Sequence, residues 1–235
     1  MSNAITAVSQ AMLSDLERLR VISHNMANVS TPGFRAERPV EGRFEGVVSN
    51  KLAGIPTRSL TVVTDKAGGV RETSRNLDVA IDGPAFLQVD TGDSIVYTRR
   101  GDLRLDAGGR LITESGYPVL GTAGEIVLTG EDAEIDTKGV ITQRGQAVAQ
   151  LALVEFGSEA VLQPLSSGLL ASADTPDTAT RSTVLGRHLE TSNVDVVSES
   201  LRLVEVSRHA SYIGQVLRGY DQILNAAINT LGTSR

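Results

Sequence analysis

The sequence holds no cysteine and no tryptophan, and only three histidines in 235 residues. The missing cysteines exclude disulfides, thiolate metal sites and cysteine nucleophiles. With histidine this scarce, little remains from which to build a metalloenzyme. No run approaches the roughly 18 consecutive apolar residues of a membrane-spanning helix. Met1 is not followed by a basic stretch and an apolar one, which argues against a cleaved secretory signal. Basic residues do not dominate either: 22 stand against 28 acidic ones, a net charge of −6. That is the wrong sign for a nucleic-acid binder. Catalysis, metal binding, membrane insertion and DNA binding are all poor starting points.

What is scarce is also unevenly placed. All seven prolines lie between Pro32 and Pro176, and 20 of the 23 glycines lie between Gly33 and Gly186. Both residues interrupt helices and punctuate strands, so the two ends can be long helices and the middle cannot. Charge divides the same way. Residues 1–31 carry Asp15, Glu17, Arg18 and Arg20; residues 187–235 carry five basic and five acidic side chains. Each end is neutral, and residues 32–186 hold the whole −6.

The first end predicts a helix over about 3–28. Ile5, Val8, Met12, Leu19, Ile22 and Met26 (with Val29) follow steps of three and four, one apolar stripe interrupted only by Asp15. Asn28 suits a helix end, and Ser30-Thr31-Pro32-Gly33 cannot continue it. The other end is longer: Leu203, Val206, Ala210, Ile213, Leu217, Tyr220, Leu224, Ala227 and Leu231 keep the alternation for four heptads. Ser192 with Asp195 predicts a capping box at its start, and Gly232 ends it. The plain alternative is a pair of amphipathic helices resting on a globular core. A stripe this narrow, about 58 Å long if unbroken, favours a coiled-coil-like partner.

The middle alternates short apolar runs with Gly- and Asp-rich turns. Strands are expected at 78–83, 86–89, 95–98, 103–105, 111–113, 125–128, 139–142 and 151–154, an antiparallel sandwich or barrel. The fold class expected is therefore α+β: long terminal helices and a central antiparallel β-rich body. The divisions are a helix within 1–33, an extended connector over 34–76, the body over 77–186 and a second helical segment over 187–235.

Chemistry finds little support. Asp132, Glu134 and Asp136 alternate like calcium ligands, but Thr137 replaces the turn glycine and Gln143 the bidentate glutamate of such a loop. Asp78, Asp82, Asp90 and Asp93 stand beside glycines, where aspartate more often forms turns. His24, His188 and His209 fall in separate segments without ligand spacing. No phosphate loop, dinucleotide fingerprint or nucleophile elbow is present. No cofactor and no small-molecule substrate are expected.

The two ends resemble a family. His24-Asn25-Met26-Ala27-Asn28-Val29-Ser30-Thr31-Pro32-Gly33-Phe34-Arg35 is similar to the N-terminal signature of the bacterial flagellar rod and hook proteins, A-N-N-L-A-N-V-N-T-P-G-[FY]-[KR]. Ser192-Asn193-Val194-Asp195 resembles their C-terminal signature. Residues 77–83, 97–102 and 111–121 look like the first strands of the family's body domain. The short chain and Arg35-Ala36-Glu37 favour the proximal-rod branch over the distal rod or the hook. His24 and the stretch Ser207-Arg208-His209-Ala210-Ser211-Tyr212 depart from the usual pattern.

The resemblance implies a structural subunit that polymerises axially and transmits torque from motor to hook. Its partners would be copies of itself, other rod proteins and the flagellar type III export apparatus. Its place would be the basal-body rod within the periplasm. The stripe residues named above would form the assembly interface. A β-rich enzyme or sugar-binding module with helical appendages, and a chaperone or cap that never polymerises, are the other readings of the same residues.

Overall fold

The computed structural model describes residues 2–39, 61–64, 66–157 and 160–232. Within them the chain is α+β and forms two compact units, Met1–Met26 with Asp195–Arg235, and Ala27–Val194.

The first unit is helical. Helix α1 is Ser2–Ala27 and α2 is Val196–Gly232; neither is long and apolar enough to cross a membrane. After α1 the chain turns at Asn28, whose carbonyl accepts from Thr31 N at 3.1 Å. The Thr31 hydroxyl donates to Asn28 Oδ1 at the same distance. Helix α2 begins differently from the capping box expected at Ser192. Asp195 is the cap: it accepts from Val197 N at 3.0 Å and from the Ser198 hydroxyl at 2.7 Å. Ser192 Oγ only accepts from Val194 N. The cap lies where the chain leaves extended geometry, three residues later than the motif suggested. The Ser198 hydroxyl first, and the Val197 amide next, hold the Asp195 carboxyl below the usual range. A depressed carboxyl stabilises the folded form above its unfolded pKa and loses that contribution as pH falls through the folded value. Helicity should therefore drop on acidification more in the parent than in Asp195→Ala, which starts lower; circular dichroism at 222 nm against pH reads the difference.

The second unit is β-rich. Strands β1 (Glu37–Pro39) and β2 (Thr61–Val63) pair antiparallel. Strand β3 (Val70–Glu72) pairs with β19 (His188–Glu190). Two stretches thus differ from expectation: parts of the proposed connector are strand, and residues 188–190 precede the helix as strand. The rest of residues 34–76 expected as connector includes 40–60, which lie outside the described residues. β4 (Val79–Asp82) pairs with β18 (Thr183–Gly186).

A six-stranded sheet forms the centre, in the order β15-β16-β6-β5-β14-β17. Its members are β5 (Phe86–Asp90), β6 (Ile95–Thr98), β14 (Leu153–Glu155), β15 (Gln163–Pro164), β16 (Leu169–Ala171) and β17 (Asp177–Thr178). Alternation along these strands divides their side chains between two cores. Leu87, Val89, Val96 and Leu169 join the main core with Leu103, Leu111, Val119, Ile126, Ile141 and Val184. Phe86, Tyr97, Val154 and Leu170 form a second cluster, where Phe156 meets Phe86 and Tyr97 edge-on. Short hairpins complete the unit: β7 (Arg104–Leu105) with β8 (Leu111–Ile112), and β9 (Leu120–Gly121) with β10 (Gly124–Glu125). A three-stranded sheet joins β11 (Glu134–Ile135), β12 (Val140–Gln143) and β13 (Gln146–Gln150). The strand expected at 125–128 shrinks to β10 and an isolated bridge at Val127.

Candidate assembly site

In the helical unit, the periodic residues differ in burial. Ile22 and Val206 are buried. Val8, Leu19, Met26, Leu203, Ala210, Ile213, Leu217 and Tyr220 are half-buried, while Met12 is exposed. The side chains of Ile5, Leu224 and Leu231 lie outside the described residues. Asp15, which interrupts the stripe in sequence, does not interrupt the burial: its side chain is 3% exposed and its Oδ2 lies 2.6 Å from His209 Nδ1 on α2. Leu19, Leu203 and Ala210 line a groove of about 670 Å³ with Ser207, Ser211 and Gly214. A second apolar set on α2 is exposed: Val197, Leu201, Val204, Tyr212, Val216 and Ile223. These residues also recur at helical spacing in the sequence, on the face away from the longer stripe.

In the β-rich unit, the two signature segments meet. Gly33 N donates to Glu190 O at 2.8 Å, and Asn193 N donates to Phe34 O at 3.3 Å. The Asn193 side chain ties three strands of chain together: Oδ1 accepts from Ala36 N at 2.6 Å, and Nδ2 donates to Lys66 O at 2.6 Å. Phe34 is buried. Beneath them Glu190 Oε1 accepts from Gly68 N at 3.0 Å and pairs with Arg35 Nη2 at 2.9 Å. Its Oε2 stands 3.7 Å from Arg99 Nη1. Arg99 also donates to the carbonyls of Ile81 and Gly83 and lies over the Phe86 ring, 4.8 Å from its centroid. All three ionic side chains are at least nine-tenths buried. Of the remaining signature residues, Asn25 is buried, Pro32 and Val194 are half-buried and Ala27 is exposed.

Gly33 explains itself here. Its φ is 64°, and an added Cβ would stand 2.3 Å from the Arg99 carbonyl oxygen. Gly33→Ala combines left-handed strain of about 1–2 kcal/mol with overpacking of about 1–3 kcal/mol. It should lower the thermal midpoint clearly more than Gly92→Ala, where φ is also positive but the space is open.

Of the acids considered for chemistry, Asp90 and Asp136 act as turn acceptors, whereas the buried Asp78 pairs with Arg75 at 3.2 Å. Asp90 accepts from Gly92 N, and Asp136 from the amides of Lys138 and Val140. Gln143 Nε2 donates to Asp132 Oδ1 at 3.0 Å. Asparagine retains an acceptor oxygen at each position. Asp82→Asn, Asp90→Asn, Asp93→Asn and Asp132→Asn should each support swimming at close to the parental rate in a motility-agar assay.

A β body whose entering and leaving segments are locked together, joined to a separately compact pair of long helices with exposed aliphatics, defines a structural subunit. Comparisons with known proteins give the family. Residues 80–145 match the model described as the flagellar hook protein FlgE/F/G D1 domain. The chain is 31% identical to the flagellar basal-body rod protein FlgF of Rhizobium meliloti, over 93% of each chain. It is 31% identical to FlgF of Escherichia coli over the whole of both. It is 29% identical to the rod protein FlgG of Bacillus subtilis, over 90% of this chain and 92% of the other. The chain belongs to the flagellar basal-body rod protein family and is a structural rod subunit.

Proposed function

We propose that the chain is a FlgF-type subunit of the proximal rod, lying within the periplasm and polymerising axially to carry torque from motor to hook. Its terminal helices pair in a coiled-coil-like manner and pack against those of neighbouring rod subunits, while the β body faces outward. It reaches the rod through the flagellar type III export apparatus. The observation that carries this reading is the exposed apolar face of α2, from Val197 to Ile223. An apolar face on a long helix asks for cover by other chains, and neutral ends allow many copies to pack without accumulating repulsion. A contact that does not close on itself gives an open helical assembly. The distal rod is the second reading, favoured by the comparable identity to FlgG.

The test is electron microscopy of basal bodies purified from a deletion strain and from one carrying a tagged copy. Rods lacking their proximal part, and tag density near the motor end, are expected. Tag density at the hook end would make it a distal subunit. Complete rods and normal swimming in the deletion strain would overturn the reading.

A further inference from the structure

The apolar stripes of the two helices do not by themselves define one pairing. Each repeats every three or four residues, so a slip of one turn, about 5.4 Å, would place aliphatic positions opposite aliphatic positions again. Packing alone therefore separates neighbouring registers poorly. Asp15 lies in the middle of that stripe, at a position otherwise filled by aliphatic residues or methionine, and its carboxylate is buried. His209 meets it at 2.6 Å from the edge of the facing helix, with 54% of its side chain exposed.

We infer that Asp15 and His209 are specificity-determining residues: they select one register of the helix pair. A one-turn slip would carry Asp15 from His209 toward Val206 or Ile213. A buried carboxylate deprived of its hydrogen-bonding partner and placed against aliphatic carbon is strongly disfavoured. A single polar residue at a seam position fixes coiled-coil register in the same way, at a cost in stability. The inference deepens the rod-subunit reading and rests on it only for its consequence: every copy would present the same groove and the same exposed face to its neighbours.

The test uses the full chain, whose lack of cysteine allows spin labels at Ser9→Cys and Val216→Cys, both exposed. Pulsed dipolar EPR should give one distance in the parent. The double variant Asp15→Leu/His209→Leu should stay helical but show a second population, from a shift of one turn. The exchanged pair Asp15→His/His209→Asp should return to one. A single parental distance in the leucine variant would show that packing alone sets the register and would overturn the inference. So would several distances in the parent, or a failure of the exchanged pair to restore one. Loss of the paired distance altogether in the leucine variant would also overturn it, since a fully aliphatic seam must still pair if the polar residues serve register. The rod-subunit reading itself is decided by the basal-body experiment, whatever the distances show.

Discussion

Glu190→Ala should destabilise the β-rich unit by about 3–5 kcal/mol, the cost of breaking a buried ion pair from one side. Its carboxylate touches the guanidinium of Arg35, faces that of Arg99, and accepts from Gly68 N. Alanine removes one acidic partner from two buried arginines and leaves a void where the carboxylate stood. At roughly 2–4 °C per kcal/mol for a domain of this size, the unfolding midpoint should fall by roughly 10 °C. Domains of this kind are stable by only about 5–15 kcal/mol, so steady-state abundance in the cell should fall too. Glu190→Gln keeps an acceptor for Gly68 N and for one arginine, and should lose less. Denaturant unfolding of the three proteins checks the order: parent, then glutamine, then alanine. Equal midpoints for parent and alanine variant would mean that the two arginines find other acceptors at no cost.

Leu217→Asp should abolish swimming while leaving the protein folded and exported. Leu217 is half-buried on α2, so within a single chain its carboxylate can still reach water. In the proposed assembly, neighbouring helices close that route. An unpaired carboxylate then costs at least about 3 kcal/mol, on the order of 150-fold in each association constant. Repeated along the rod, that loss prevents growth. Secreted protein in the medium, an unchanged unfolding midpoint and no ring of swimming on soft agar are the expected set. Normal incorporation and motility would remove Leu217 from the interface.

The helices and most central strands were legible because their signals are local. Residues three and four apart share a helix face, and residues two apart share a sheet face, so Ile22 and Val206, or Leu87 and Val89, declare their sides by spacing alone. Proline and glycine likewise mark ends by their own backbone limits, which is why α1 stops where Asn28 and Pro32 require. The family signatures were legible as strings, but not what they do. Asn193 matters because its side chain reaches Ala36, 157 residues away, and Asp15 is buried because His209, 194 residues away, meets it. In the sequence Asp15 only interrupts the stripe, and His209 is one residue of a stretch, 207–212, that departs from the family pattern. Arg35, Arg99 and Glu190 stood in three unrelated stretches. The pairing of β3 with β19, and the choice of Asp195 over Ser192 as cap, depend on the same closure of the chain. Spacing specifies which face a residue takes, whereas the partner of a buried charge is fixed only when distant segments pack and remove water from both.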